Sequence, residues 1–206
     1  ESAMLSPLRV AAKKVQLRRK EAEIVRQWVA SGQPVPPPHP VKRRTLVEYQ
    51  KRHRLHVLIE TGTYLGEMVE AMRKRFKKIY SIELSPELCT RARDRFAGVE
   101  NVKISCGDSG KVLSTILAEV REPALFWLDG HFSTGNTAKG DRETPILDEL
   151  EVILRHDVKG HVILIDDARC FVGTADYPTI AELERYIRAR YSNASFEVQD
   201  DIIRVV

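Results

Sequence analysis

Residues 57–66 read Val-Leu-Ile-Glu-Thr-Gly-Thr-Tyr-Leu-Gly, and this stretch decides the fold class. A short apolar run ends in Glu60, passes through a turn that contains Gly62, and leads into a helical pattern from about Glu67. This order is typical of a buried parallel strand that feeds the N-terminus of a helix. Such a turn brings backbone N–H groups and the positive end of a helix dipole together at one edge of a sheet.

A second apolar strand, residues 79–82, follows and ends in Glu83. A carboxylate at this position can accept hydrogen bonds from the two hydroxyls of a ribose. The glycine turn and the strand-end acid together predict a cofactor of the nucleoside type. An enzyme is therefore the leading interpretation.

The rest of the chain continues the same alternation of strand and helix. Strands are predicted at 57–60, 79–83, 102–106, 124–128 and 161–165. Helices are predicted between or after them at 66–76, 86–96, 111–120, 145–155 and 179–191. Two further strands, 196–199 and 202–206, are separated by Asp200-Asp201 and form a closing hairpin. The pattern predicts an α/β fold: a doubly wound, mostly parallel, Rossmann-like sheet with a C-terminal antiparallel hairpin and an N-terminal helical arm.

The N-terminal arm differs in composition from the rest. Residues 1–54 carry 13 lysines and arginines against 4 acids, a net charge of +9, whereas residues 55–206 carry 20 against 25, a net charge of −5. A helix is predicted at 8–30, followed by five prolines between residues 34 and 40. Thr45 and Glu48 suggest a capping box that opens a short helix to about His53. We divide the chain into a basic arm with a Pro-rich linker, 1–44, and a catalytic domain, 45–206.

The basic arm allows two interpretations. It is either a site for an anionic partner, such as nucleic acid or a membrane surface, or a solvated helix face. We favour the solvated face. The imperfect apolar stripe of the helix, with Val15, Ala22 and Val29 at seven-residue spacing, needs a partner. That partner is either the main domain or a second copy of the chain in a homodimer.

Composition sets further bounds. No apolar run approaches the roughly 18 residues of a membrane span, and no secretory signal is visible. The three cysteines, Cys89, Cys106 and Cys170, form no C-x-x-C pair. We therefore expect no disulfide framework and no zinc site, and predict a cytoplasmic location.

Acidic residues end five consecutive strands or follow them closely: Glu60, Glu83, Asp108, Asp129 and the pair Asp166-Asp167. All five ends should lie on one edge of the sheet, where a row of carboxylates repels itself unless a ligand or cation is present. Glu83 suits the ribose. Asp108, with Ser109 beside it, suits an exocyclic adenine amine. Glu60 either faces the cofactor or holds the glycine loop by accepting hydrogen bonds from backbone amides.

The acids after the last two strands suit a hard divalent cation. Asp129, Asp166 and Asp167 could occupy one side of an octahedron, with water and substrate hydroxyls opposite. The alternative for Asp166-Asp167 is a loop start and helix cap. His131 lies two residues after Asp129, so it is either a general base or a structural histidine. The loop 133–144 is either a substrate-side lid or an ordinary surface loop.

Residues 45–206 resemble the class I S-adenosylmethionine-dependent methyltransferases. The resemblance rests on Glu60 to Gly66 as the cofactor loop, Glu83 after the second strand, Gly107-Asp108 after the third and Asp129 after the fourth. Leu128-Asp129-Gly130-His131 with Ile165-Asp166-Asp167 is similar to the macrocin and mycinamicin O-methyltransferases, a metal-dependent group that acts on sugars. Where the family usually has the middle glycine of the loop, this chain has Tyr64.

The resemblance implies a set of site residues. The cofactor, S-adenosylmethionine, would be bound by Glu60, Thr61, Gly62, Thr63, Tyr64, Gly66, Glu83, Leu84, Asp108, Ser109 and Asp129. Magnesium or a similar cation would be bound by Asp129, Asp166 and Asp167. From their positions at the strand end, and not from the resemblance, Asp129 and His131 are predicted to be catalytic.

The sequence therefore predicts a metal-assisted O-methyltransferase that acts on a sugar or another polyhydroxylated small molecule or glycan. Two alternatives stay open. A nicotinamide-dependent dehydrogenase shares the glycine loop, but it usually has G-x-G-x-x-G where this chain has G-x-x-x-G, and it leaves Asp166-Asp167 unexplained. A nucleic-acid-binding module on an inactive methyltransferase fold would explain the basic arm. Binding of S-adenosylhomocysteine (SAH) would argue against both.

Overall fold

A computed structural model of the 206-residue chain describes residues 7–130 and 144–206. The strands are β1 Val57–Thr61, β2 Lys78–Glu83, β3 Val102–Cys106, β4 Ala124–Leu128, β5 Val162–Ile165, β6 Phe196–Gln199 and β7 Ile202–Val205. The α-helices are α1 Pro7–Ala30, α2 His39–Arg52, α3 Glu67–Met72, α4 Pro86–Arg95, α5 Ser109–Leu117, α6 Ile146–Arg155 and α7 Ile180–Arg188. A 3₁₀ helix, Ala168–Cys170, follows β5.

The seven strands form one sheet in the order β3-β2-β1-β4-β5-β7-β6. β1 to β5 pair in parallel, and β7 pairs antiparallel with both β5 and β6. Asp200 and Asp201, both with positive φ, make the tight turn between β6 and β7. The predicted doubly wound sheet and closing hairpin are confirmed.

The sheet is covered on both faces, which explains why its central strands are apolar throughout. One cluster of buried side chains packs α5, α6 and α7 against one face, around Phe126 and Ile163. The other packs α2, α3 and α4 against the opposite face, around Trp127 and Leu164. Alternate residues of β4 and β5 thus face opposite layers, as strand geometry requires.

Helix α2 begins earlier than predicted. Pro38 is its N-cap residue, and Pro40 lies in its first turn, where the missing N–H of proline costs nothing. Thr45 is therefore inside the helix, and its hydroxyl donates to the Val41 carbonyl at 3.3 Å. The predicted capping box of Thr45 and Glu48 is wrong. A single helix crosses the proposed boundary at residue 45 and packs on the sheet.

The cysteine prediction is also wrong for two residues. Cys89 of α4 and Cys106 at the end of β3 form a disulfide, and Cys170 is free. Because α4 packs against β3, residues 17 apart in sequence come within 5.6 Å between Cα atoms. A search for short C-x-x-C spacings does not detect such a pair. Among the described residues, no helix is both long and apolar enough to cross a membrane.

Candidate active site

The register of the sheet brings the strand-end acids to one edge. Thr61 pairs with Leu128, and Leu128 pairs with Ile165, so that β1, β4 and β5 end level. The backbone pairing continues one residue further: Asp129 N donates to Thr61 O at 3.1 Å and Asp166 N donates to Leu128 O at 3.0 Å. Asp129 and Asp166 are therefore neighbours at the carboxyl ends of adjacent strands, as predicted.

Asp129, Asp166 and Asp167 form a compact carboxylate cluster, which we call the acidic triad. One oxygen from each lies within 4.8 Å of the others, a spacing that would hold one metal ion. Asp166 and Asp167 are buried and Asp129 is half-buried. Asp167 precedes the 3₁₀ helix but makes no side-chain capping bond. The donor set consists of hard oxygen atoms, which are the ligands that Mg²⁺ prefers.

Two cationic side chains neutralise part of the triad. Lys42 of α2 donates to Asp166 Oδ2, and its Nζ lies 3.7 Å from Asp167 Oδ1. Arg169 donates to Asp167 Oδ1 at 2.7 Å and also pairs with Asp201. Burial, followed by repulsion from Asp129, raises the pKa of Asp166 above its ordinary value even with Lys42 in contact.

The glycine loop is fixed by Glu83. Its Oε2 accepts from Tyr64 N at 2.7 Å and its Oε1 accepts from Ser85 N at 2.9 Å. A carboxylate has about four acceptor sites, so both oxygens keep the capacity to accept from a ribose diol. Tyr64 adopts a positive φ of 48°, and its side chain is 52% exposed. A tyrosine thus takes the place of the middle glycine without burying its ring.

Glu60 lies beneath the loop and not at its rim. Its carboxylate accepts from Ser81 Oγ, and Thr63 Oγ1 lies 2.6 Å from the same Ser81 oxygen. Glu60 is fully buried, and this burial raises its pKa to about 8. Its protonated side chain thus holds the loop through a hydroxyl of β2 and not through backbone amides. The Thr61 side chain is equally buried.

The buried proton on Glu60 makes stability depend on pH. The pKa of Glu60 is 4.5 in the unfolded chain and about 8 in the folded protein. Between these two pH values the folded state therefore retains a proton that the unfolded state loses. Stability from this group is complete below pH 4.5 and falls as pH rises to 8, by about 1.4 kcal/mol per pH unit at most. Glu60→Gln keeps an acceptor for Ser81 but cannot ionise.

We expect Glu60→Gln to gain stability relative to the wild type as pH rises from 5 to 8. Urea denaturation at pH 5, 6.5 and 8 measures the difference in unfolding free energy. Parallel curves for the two proteins would contradict the assignment of a buried proton to Glu60.

Asp108 and Ser109, which were both predicted on the adenine side of the cofactor, make different contacts. Asp108 caps α5, with Oδ1 accepting from Gly110 N at 3.0 Å, so its carboxylate stays at the strand edge. Ser109 turns inward and donates to Glu149 Oε1 at 2.6 Å. Glu149 of α6 is fully buried, and burial raises its pKa to about 7. The Ser109 hydroxyl therefore serves this internal contact.

The remaining predicted residues have the following positions. Gly62 approaches the backbone of Asp129 closely, and Gly66 precedes α3 with a φ of 75°. Leu84 is half-buried between Glu83 and the α4 cap, Ser85. His131 and most of the predicted lid, residues 133–143, lie outside the described residues.

Sequence reasoning missed the contribution of α2. Lys42 reaches the triad, and His39, one turn earlier, is near enough to interact electrostatically with Glu67 and Asp129. Burial, then repulsion from Arg43, lowers the pKa of His39, which favours the neutral imidazole. The i, i+3 spacing of two basic residues in a helix was the available signal. It was hidden because α2 was predicted to begin after both.

No family model matches the chain. Over 55 residues it is 38% identical to "Probable ribosomal RNA small subunit methyltransferase A" of Methanosarcina acetivorans. These residues are 27% of this chain and 20% of that protein. The protein of the same name from Methanosarcina barkeri is 41% identical over 56 residues, with the same coverage. The match thus spans about a fifth of the length of these curated relatives.

Solved structures match over most of the chain. An O-methyltransferase from Bacillus cereus in complex with SAH is 17% identical over 90% of each chain, with a TM-score of 0.57. TomG, an O-methyltransferase from Streptomyces achromogenes in complex with SAM, is 13% identical over 90% of this chain and 87% of its own, with a TM-score of 0.55. SAH-bound PaMTH1 from Podospora anserina matches over 100% of this chain and 98% of its own, at 15% sequence identity and a TM-score of 0.54. The chain therefore has the Rossmann-like fold of the S-adenosylmethionine-dependent methyltransferases.

Proposed function

We propose that this chain is an S-adenosylmethionine-dependent O-methyltransferase, assisted by a divalent cation, that methylates a hydroxyl of a sugar or another polyhydroxylated small molecule. The observation that carries the proposal is the acidic triad at the same sheet edge as the glycine loop. A Cβ on Gly62 would lie 2.3 Å from the Asp129 carbonyl oxygen, so the cofactor loop and the triad are in direct contact. A methyl donor and a metal-bound acceptor would therefore be adjacent.

The residues of the loop fit the cofactor. Glu83 retains acceptor capacity for a ribose diol after binding Tyr64 N and Ser85 N. The exposed Tyr64 ring would border the cofactor on the solvent side. S-adenosylmethionine supplies an electrophilic methyl group on a sulfonium. The main contribution of the protein is to place this group in line with the acceptor oxygen.

The triad fits a hard divalent cation, with Asp129, Asp166 and Asp167 as its protein ligands. A bound cation would lower the pKa of an acceptor hydroxyl and favour an acceptor with neighbouring oxygens. A small cavity adjoins Asp166 and is bordered by Leu128, Gly130, Glu149, Ile165 and Tyr177 among others. His131 stays a predicted base.

The sheet order argues against the dehydrogenase alternative. Dinucleotide-binding sheets usually have the order 3-2-1-4-5-6. In this chain the antiparallel β7 is inserted between β5 and β6. We expect calorimetry to detect binding of SAH and no binding of NAD.

The test of the proposed function is a methyl-transfer assay. The purified 206-residue chain is incubated with S-adenosylmethionine and a panel of sugars and catechols that carry neighbouring hydroxyls, with Mg²⁺ or with EDTA. SAH release that depends on both the acceptor and Mg²⁺ is the expected result. SAH release that is unchanged by EDTA would remove the metal from the proposal, and an absence of SAH binding would remove the methyltransferase.

RNA is a second candidate acceptor. The short match to ribosomal RNA methyltransferases and the net charge of +9 over residues 1–54 favour it. Exposed cations on α1, including Arg18, Arg19 and Lys20, would contact phosphates. Fluorescence anisotropy with labelled RNA across a salt series tests this candidate, because phosphate contacts weaken steeply as salt rises. Absence of binding at low salt would exclude RNA as the acceptor.

A further inference from the structure

Lys42 reaches the acidic triad from outside the sheet. It lies on α2, and its ammonium donates to Asp166 Oδ2 and is 3.7 Å from Asp167 Oδ1. The side chain is 16% exposed, and that of Asp166 is fully buried. A half-buried lysine therefore lies at the point where two of the three proposed metal ligands converge.

We infer that Lys42 is a tethered counter-ion that competes with the divalent cation, so that metal binding requires the lysine ammonium to leave the triad. The inference rests on the proposed function, because it assigns a regulating group to the same metal site. By this inference the N-terminal arm, which contains Lys42, controls how tightly the triad binds metal.

Charge and space both support the competition. The Lys42 ammonium and the backbone N–H of Asp167 already donate to the two oxygens of Asp166, so a cation in the triad would share these oxygens with both donors. A dication beside the half-buried ammonium would also be repelled strongly, because charges a few ångströms apart interact by several kcal/mol even at an effective dielectric constant of about 20. In the structure the ammonium is paired with the carboxylates of Asp166 and Asp167.

The competition links the arm to the active site. The next residue, Arg43, donates to Glu21 of α1 at 2.7 Å, and Trp28 of α1 donates to the Pro34 carbonyl at 2.8 Å in the segment that leads into α2. The contacts that fix α2 against α1 therefore also fix the position of Lys42 at the triad. A partner that shifts the arm would free the triad for metal.

The experiment measures Mn²⁺ binding to the metal-free 206-residue chain by calorimetry, without cofactor or acceptor. We expect Lys42→Met to tighten Mn²⁺ binding by at least about tenfold. Lys42→Arg keeps the positive charge and is expected to bind Mn²⁺ no more tightly than the wild type. Lys51→Met, an exposed lysine on the same helix, is the matched control and should change the affinity less than twofold.

Circular dichroism and SAH binding establish that each variant is folded, and Lys42→Gln replaces Lys42→Met if the latter is not. Unchanged or weaker Mn²⁺ binding in the Lys42 variant overturns the inference. If the Lys42 variant binds Mn²⁺ no more tightly than the wild type while Asp166→Asn does not bind it, the role of Lys42 fails and the metal site stays in place. If none of the variants binds Mn²⁺, the inference and the metal part of the proposed function both fail.

Discussion

Gly62→Ala is expected to abolish SAH binding. Gly62 has a φ of 85°, and a Cβ at this position would lie 2.3 Å from the carbonyl oxygen of Asp129 and 2.9 Å from its carbonyl carbon. Both atoms belong to the backbone, and Asp129 is itself held by its N–H bond to Thr61 O. The clash can therefore be relieved only by moving the glycine loop away from the triad.

The expected loss combines two costs. A non-glycine residue in the left-handed region costs roughly 1–2 kcal/mol, and forcing a side chain into a filled space typically adds about 1–3 kcal/mol. Calorimetry with SAH should therefore give at least a hundredfold weaker binding, and urea denaturation should give a lower unfolding free energy.

Gly98→Ala is the matched control for this experiment. Gly98 has a similar φ of 77°, but a Cβ there would meet no atom within 4 Å. This variant should lose only the conformational part of the stability and keep its SAH affinity. If Gly62→Ala binds SAH as well as Gly98→Ala does, the glycine loop is not the cofactor site.

The sheet could be predicted from sequence because its signals are local. Apolar runs such as 57–59 and 124–128 are long enough for one buried strand, and each is followed by a turn residue or an acid. The carboxyl ends of parallel strands share an edge, so the adjacency of Asp129 and Asp166 also followed from the pattern. Boundaries were less predictable: α3 ends at Met72 and not at Phe76.

Contacts between distant segments could not be predicted in the same way. Lys42 is 124 residues from Asp166 in sequence, and the periodicity of either segment contains no information about the other. The Cys89–Cys106 disulfide depends on how α4 packs on β3. The inward turn of Ser109 depends on Glu149, which α6 supplies from 40 residues away. These three features come from tertiary packing.

Asp166→Asn is expected to abolish metal-dependent methyl transfer and to leave SAH affinity largely intact. Asp166 lies after β5, whereas the glycine loop and Glu83 lie after β1 and β2, on the other side of β4. Replacing a carboxylate by an amide removes the charge that binds a dication but retains the shape of the side chain. A metal ion that acts as a Lewis acid stabilises the transition state by several kcal/mol, so its loss should reduce the rate by about a thousandfold.

The stability of this variant separates catalysis from folding. Burial and the neighbouring Asp129 raise the pKa of Asp166, so the ionised side chain is costly in the metal-free protein. Asp166→Asn also removes the ion-pair partner of Lys42, so thermal denaturation without metal is measured to establish that the variant is folded. Asp157→Asn, an exposed acid in the α6–β5 connection, is the control and should leave activity unchanged. If Asp166→Asn retains full activity and the wild type resists chelation, the triad does not bind a catalytic metal, and Lys42 would be its permanent counter-ion.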